Sequence, residues 1–533
     1  MTALLDLLGR NGVFDPDAES TVTARIAALG YAESPRIGKP PVQVYLRSLA
    51  WRDGVVWGIA RFTEERVRRL FAAVGPEADA SGLRAATTAF DVEAPPDADG
   101  RLLLAELTTE NARALHDLFP WSRPLSLRER RTTIGMGDRL GIATPGHIRA
   151  ARKFAVSPVL AQQSVRENDF IHREFVDVVG NATWGVFREG YRDGYGADGD
   201  HLKNIPAIDT ALVASMPMIT LDLTEVMRPE VADWDAEAVK EGFRALDEEF
   251  RARVERDYAG RDFIVGGDTG HPATIHVAEL EAQRCAVMYG PALDFSREVD
   301  RHLDSATGGA YDLEISIDET STPTLPAHHL FIARELQQRG VTVNSLAPRF
   351  IGEFQKAIDY IGDLSEFDRQ FRVHCAIARE YGGYKISVHS GSDKFSVFPS
   401  VGRETGLRLH LKTSGTSWLE ALLTIARHDP ALYRRIHAFA REYYPTALTF
   451  YHITADFDAV APLEKTSDAD LPGYFTDANA RQMLHISYGG ILNDPELRPA
   501  LYDALFDLEE EYAEILRGHF ERHIGLLGAE ERG

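Results

Sequence analysis

Cysteine is nearly absent from this chain of 533 residues: there are two, Cys285 and Cys375, far apart and in no C-x-x-C pairing. Neither a disulfide framework nor a thiolate zinc site can organise the fold, and a reducing cytoplasm is the expected compartment. Positive charge is also scarce, with 58 Lys and Arg against 81 Asp and Glu for a formal net charge of −23. Phosphate backbones and anionic membrane surfaces are bound by clustered Lys and Arg, so nucleic acid and membranes are not expected partners. No apolar run approaches the ~18 residues that a membrane span needs. The N-terminus, MTALLDLLGRNGVFDPD, has no basic leader and is interrupted by Asp6, so it reads as a helix and not as a signal peptide. Internal repeats and low-complexity tracts are lacking. The glycines at 135, 137 and 141 miss the dinucleotide-binding spacing by one residue. Asp193 to Asp200 lacks the Gly and distal Glu of a calcium loop.

What is present is ordinary globular composition, 44% hydrophobic and 26% charged. Residues 1–128 mix patterns: VQVYL at 42–46 and VVWGIA at 55–60 read as strands around a turn at Arg52–Asp53–Gly54. Glu65–Ala73 and Glu106–Leu118 have helical spacing, so a small α/β unit is expected there. From about 130 the rhythm changes. Short β-rich runs recur at 132–138, 158–164, 195–201, 218–222, 311–318, 341–347, 384–391 and 407–415, each followed by a helical pattern. Eight such units predict a (β/α)8 TIM-type barrel over 129–425, with a doubly wound sheet as the competing α/β architecture. Residues 225–310, with helix-like DAEAVKEGFRALDEEFRARVERDY at 235–258, read as a helical insertion between strands 4 and 5. Residues 426–533 read as a C-terminal helical extension.

In such a barrel the chemistry lies where the strands end. The third run ends in Asp200–His201, the fifth in Asp318–Glu319, the seventh in His389–Ser390–Gly391–Ser392, and the eighth carries His410 and Lys412. Imidazoles and carboxylates converging from separate strands suit Zn²⁺, Mn²⁺, Ni²⁺ or Co²⁺. For any one histidine a satisfied core position is the simpler explanation; the case rests on His201, His389 and His410 together. His410 lies three residues before Thr413, a position open to the barrel interior as well as to its rim. Strand alternation separates Asp200 from His201 unless the backbone bends, which Gly199 permits. Asp138, Asp222 and Asp393 serve equally as functional carboxylates or as helix caps. The SGSDK and KTSGTS loops could bind an anion through backbone N–H groups.

The blocks RENDFIHREFVDVVGNATWGVFREGYRDGYGADGDHLK, SIDETSTPTLPAHH, SLAPRFIGEFQKAIDYIGD, YKISVHSGSDKFSVFP and HLKTSGTSWLEAL resemble the tagaturonate epimerase family from about Thr132 to the C-terminal helices. The resemblance implies a divalent-metal enzyme interconverting D-tagaturonate and D-fructuronate. It implies Asp200 as the base and Glu319 as the acid, with Glu314 the alternative for the latter. His201, His389 and His410 become metal ligands. Lys385, Lys412, Ser390, Ser392 and Arg166 become candidates for holding the substrate. The two sugars differ at the carbon next but one to the ketone, whose C–H the carbonyl does not acidify directly, so aldol cleavage and re-addition is the favoured route over proton transfer through an enediolate. A neutral or phosphorylated ketose as substrate, for an epimerase or aldolase, is the second reading. A non-catalytic sugar-acid-binding protein is the third. A homo-oligomer is compatible with the sequence. On a chain of charge −23, a sugar-acid site must be a local positive focus.

Overall fold

The computed structural model describes residues 2–31, 34–78, 83, 88–92, 100–320, 322–451 and 453–532. An N-terminal antiparallel sheet is built from β1 (Arg36–Lys39), β2 (Val42–Tyr45), β3 (Ala50–Arg52), β4 (Val55–Phe62), β5 (Val67–Ala73) and β6 (Leu102–Glu106). Its order is β1-β2-β4-β5-β6, with β3 also paired to β4. β5 corrects the helix expected over Glu65–Ala73. Arg66, at φ 55°, closes the turn from β4, and Leu70 to Ala73 are buried between β4 and β6. A strand covered on both faces loses the alternation that would reveal it. The expected helix at 106–118 begins at Thr109, where the Thr108 hydroxyl accepts from the Asn111 N–H at 3.2 Å.

Eight parallel strands then close into a barrel: β7 (Thr132–Met136), β8 (Ser157–Ser164), β9 (Gly196–Leu202), β10 (Met218–Asp222), β13 (Asp312–Ile317), β14 (Ser345–Pro348), β15 (Lys385–Val388) and β16 (Leu409–Thr413). Each falls on one of the eight runs. Alternation sorts their side chains. Along β16, Leu409 and Leu411 join the hydrophobic core, while His410 and Lys412 hydrogen-bond inside the barrel. Ser126 and Leu127 cover the N-terminal mouth: the Leu127 N–H donates to Asp312 Oδ2 at 2.7 Å, and the Leu127 carbonyl accepts from Lys385 Nζ at 3.3 Å.

Between β10 and β13 the insertion is not wholly helical. Helices Ala236–Arg244 and Glu248–Asp257 are followed by an antiparallel hairpin, β11 (Arg261–Val265) and β12 (Ala273–Val277), and then by the 29-residue helix Glu279–Thr307. The single helix expected over 235–258 breaks at Asp247, whose side chain caps the second helix by accepting from the Phe250 N–H at 3.0 Å.

The chain ends in helices that grip the rest. Helix Glu509–Leu526 lies on the first barrel helix, Thr144–Lys153, with Arg149 Nη1 2.6 Å from Glu510 Oε1. Glu509, at its first turn, is surrounded by Arg36 (3.0 Å), Arg61 (3.3 Å) and Arg68 from the N-terminal sheet and by Arg188 (3.1 Å) from a barrel helix. Gly402 allows the final turn to dock, because a Cβ there would sit 1.8 Å from the Leu527 carbonyl oxygen. Among the described residues no helix is long and apolar enough to cross a membrane.

Candidate active site

The site begins with an irregularity in β9. Ile219 of β10 pairs with Gly199, whereas Leu221, two residues on, pairs with Leu202, so β9 holds one extra residue. This is a β-bulge. His201 sits in it at φ 60°, and the bend turns both Asp200 and His201 to the same side. His201 Nδ1 lies 2.8 Å from Asp200 Oδ1. The bend falls at His201, not at Gly199, whose place is taken up by close packing on Ala211.

The far side comes from β13 and β15. Glu314, Ser316 and Asp318 follow the inward alternation, and His389 continues β15. His389 Nδ1 is 3.0 Å from Asp318 Oδ1, and its Nε2 is 2.7 Å from Glu314 Oε1. His201 Nε2 is 3.8 Å from the same Asp318 oxygen. His201, Asp318 and His389 thus each offer one ligand atom, all within 4.8 Å of one another. Asp200 holds the outer nitrogen of His201, and Glu314 that of His389, leaving the inner nitrogens aimed at Asp318. Carboxylates behind the imidazoles are how metal-binding histidines are oriented.

A third layer joins these carboxylates. Lys412 Nζ lies 2.7 Å from Asp200 Oδ1, 2.9 Å from Glu314 Oε1 and 2.8 Å from Asp198 Oδ2. Thr220 donates to Asp198 at 2.9 Å, and Gln162 Nε2 donates to Asp200 Oδ2 at 3.1 Å. The barrel centre, where branched aliphatics usually pack, is here a charged network. Burial raises carboxyl pKa values, but the Lys412 ammonium outweighs it and holds Asp200 and Glu314 well below the usual range. Asp198 goes the other way: burial, reinforced by the neighbouring Asp200 and Glu314 charges, raises it despite Lys412. Burial disfavours the charged form of His389, yet Asp318 and Glu314 on its two nitrogens raise its pKa to about 10.

Above the triad opens a cavity of about 410 Å³ at the C-terminal ends of the strands, lined by Asp200, His201, Asp318, Glu319, Lys356 and His389 among others. Glu319, with 40% of its side chain exposed, is 3.8 Å from His201 Nε2 and 3.9 Å from Arg166. Ser390 and Arg166 also face this space.

Three expected site residues, His410, Lys385 and Ser392, stand elsewhere, and a fourth, Lys412, is otherwise engaged. His410 is the second residue of β16, so it lies below the rim. Its Nδ1 meets Thr133 Oγ1 at 2.9 Å, and it does not reach the triad; Asp318 takes the place expected for it. Lys385 opens β15 and points to the N-terminal mouth, at the opposite end from the cavity. Lys412 lines the cavity floor, but its charge is spent on three carboxylates. Ser392 is buried and gives its carbonyl to Lys394 at 2.9 Å. Two N–H groups of the SGSDK loop are likewise committed, that of Gly391 to the Lys412 carbonyl and that of Asp393 to His523 Nε2. Asp138 proves to be a turn cap, accepting from the N–H groups of Leu140, Gly141 and Ala143. Lys356 and the ligand geometry of Asp318 were not anticipated. Period-two counting from Glu314 points to Asp318 over Glu319, whereas no motif marks Lys356.

Comparison with known proteins agrees with this architecture. A family model described as tagaturonate epimerase matches residues 70–527. A tagaturonate/fructuronate epimerase of Thermotoga maritima is 41% identical over 423 residues, 79% of this chain and 86% of that protein. The native crystal structure of fructuronate-tagaturonate epimerase from Cohnella laeviribosi is 39% identical and superimposes with a TM-score of 0.85, covering 96% of this chain and 99% of that one. A glycerol complex of the same enzyme gives the same values. On these grounds the chain belongs to the tagaturonate epimerase family.

Proposed function

We propose that this chain is an isomerase that interconverts tagaturonate and fructuronate, and that it does so with a divalent cation held by His201, Asp318 and His389. The observation that supports the reading most directly is the convergence of those three side chains, each backed by a fixed partner, beneath a cavity of sugar size in a member of this family. Two imidazoles and one carboxylate fit Zn²⁺, Mn²⁺, Ni²⁺ or Co²⁺ and leave positions for substrate oxygens. Bound there, the cation supplies Lewis acidity toward the ketone and hydroxyl oxygens.

The protein's own groups do the rest. Glu319 is the partly exposed carboxylate at the rim and takes the proton from the hydroxyl on the inverting carbon. The bond from that carbon to its ketone-side neighbour then breaks, and its electron pair passes into the enediolate of the ketone-bearing half. The aldehyde half, which carries the carboxylate, turns its other face; the bond re-forms and Glu319 returns the proton. Asp200, the base that the resemblance implies, accepts from Lys412 and Gln162 and faces His201 Nδ1. Its role is to orient His201, and its Oδ2, at the cavity wall, can accept a substrate hydroxyl.

Epimerisation followed by NMR with tagaturonate, fructuronate, tagatose and fructose tests the activity. Turnover should be found with the two acids, and a chelator should reduce it at least about tenfold, with recovery on adding one of the four metals. Full turnover after removal of all bound metal would sink the metal reading; no turnover of either acid would sink the substrate reading. Glu319→Gln should lower kcat by about 10²- to 10⁴-fold with little change in KM, as expected for loss of a proton carrier.

A further inference from the structure

We infer that Lys356 is the cation that receives the substrate carboxylate and so selects a sugar acid over a neutral ketose. This rests on the epimerase reading above and adds a residue to it.

The cations around the cavity are almost all committed. Lys412 faces three carboxylates and Lys203 lies 3.7 Å from Asp222 and 3.2 Å from Glu225, whereas Arg166 is half exposed and 3.9 Å from Glu319. Arg139 is paired with Glu167. Lys356 differs: its ammonium donates to the Ser390 hydroxyl at 3.3 Å and forms no ion pair among the described residues. Burial pushes it below the usual lysine range, a cost that an incoming carboxylate would relieve.

The loop carrying Lys356 is held in place from several sides. Ala357, next to it, is buried at φ 64°, a conformation unfavourable for a residue with a Cβ. Such strain persists only where the surroundings over-determine it, and here they do. The Ala357 carbonyl accepts from Arg481 Nε at 2.8 Å, and the Lys356 carbonyl accepts from Gln482 Nε2 at 3.2 Å. Buried Lys394 donates to the carbonyls of Gln355 (2.7 Å), Ile358 (2.5 Å) and Ser392 (2.9 Å), tying this loop to the one that follows β15. Lys394 is therefore a positioning residue. Ser390 directly follows His389, so a carboxylate bound between Lys356 and Ser390 leaves the sugar chain lying toward the triad. In the cleavage route the aldehyde half keeps the carboxylate, and an ammonium there retains that half while it turns.

The test compares wild type with Lys356→Met and Lys356→Arg. A charge-assisted hydrogen bond of this kind corresponds to about 10- to 100-fold in affinity. Lys356→Met should raise KM for fructuronate by that factor, Lys356→Arg should recover part of it, and inhibition by fructose should stay within about twofold of wild type. Equal weakening of fructuronate and fructose, or an unchanged KM for fructuronate, would overturn the assignment. Calorimetric binding of fructuronate to wild type and Lys356→Met reads the lysine independently of turnover. A wild-type protein that binds fructuronate through Lys356 without epimerising it would refute the epimerase reading and leave the lysine assignment standing.

Discussion

Lys412→Met should be among the most destabilising single changes in the molecule, lowering unfolding free energy by about 3–5 kcal/mol in a denaturant titration. The side chain lies at the centre of the barrel with Asp198, Asp200 and Glu314 all within 2.9 Å of its nitrogen. Methionine fills the volume but leaves three buried carboxylates repelling one another. Two consequences distinguish this from ordinary core damage. Asp198→Asn in the same chain should restore part of the lost stability, because Asp198 is the member whose charge is least favoured. Activity should fall by more than about 100-fold even where the variant is folded, since Asp200 and Glu314 orient His201 and His389. A Lys412→Met protein within about 1 kcal/mol of wild type would mean that the carboxylates are neutralised by something other than this ammonium.

Glu509→Ala should also cost about 3–5 kcal/mol, by stranding Arg36, Arg61, Arg68 and Arg188 around an empty centre. Its signature is dependence on pH. Burial raises the Glu509 pKa, but the arginines, Arg188 foremost, hold it far below the usual carboxylate range. A carboxyl with a depressed folded-state pKa gives its full stabilisation above the unfolded value, near ~4.3, and loses it as pH falls toward the folded value. Wild type should therefore lose stability below about pH 5 more steeply than Glu509→Ala. Parallel stability profiles for the two proteins would show that Glu509 is not ionised as described.

Much of the barrel is legible because its runs alternate between a core-facing and an interior-facing set, as in Leu409, His410, Leu411 and Lys412. The same rule applied from Glu314 onward reaches Asp318 as the inward carboxylate. Other features leave no local trace. The bulge that turns His201 inward shows only in the register between β9 and β10. The depth of His410 and Lys385 depends on where each strand starts relative to its neighbours. Leu70 to Ala73 of β5 are buried on both faces, so strand alternation is lost, and the hairpin of β11 and β12 is short and largely exposed. Lys356 sits in an irregular loop whose shape is dictated by Lys394, Arg481 and Gln482, side chains distant in sequence.

The last helix, described above as a packing element, also governs how the molecule comes apart. Glu509 reaches the N-terminal sheet, Glu510 the first barrel helix, and His519 sits 2.9 Å from Asp393 in the loop after β15. Asp393 in turn holds Arg481 at 2.8 Å, the residue that braces the Lys356 loop. These contacts join sheet, barrel and active-site loop to one helix, so melting of this segment is expected to loosen all three together. Hydrogen exchange at Glu353 and Ile361, whose N–H groups bond each other's carbonyls at the base of the Lys356 loop, should accordingly report the opening free energy of this distant last helix.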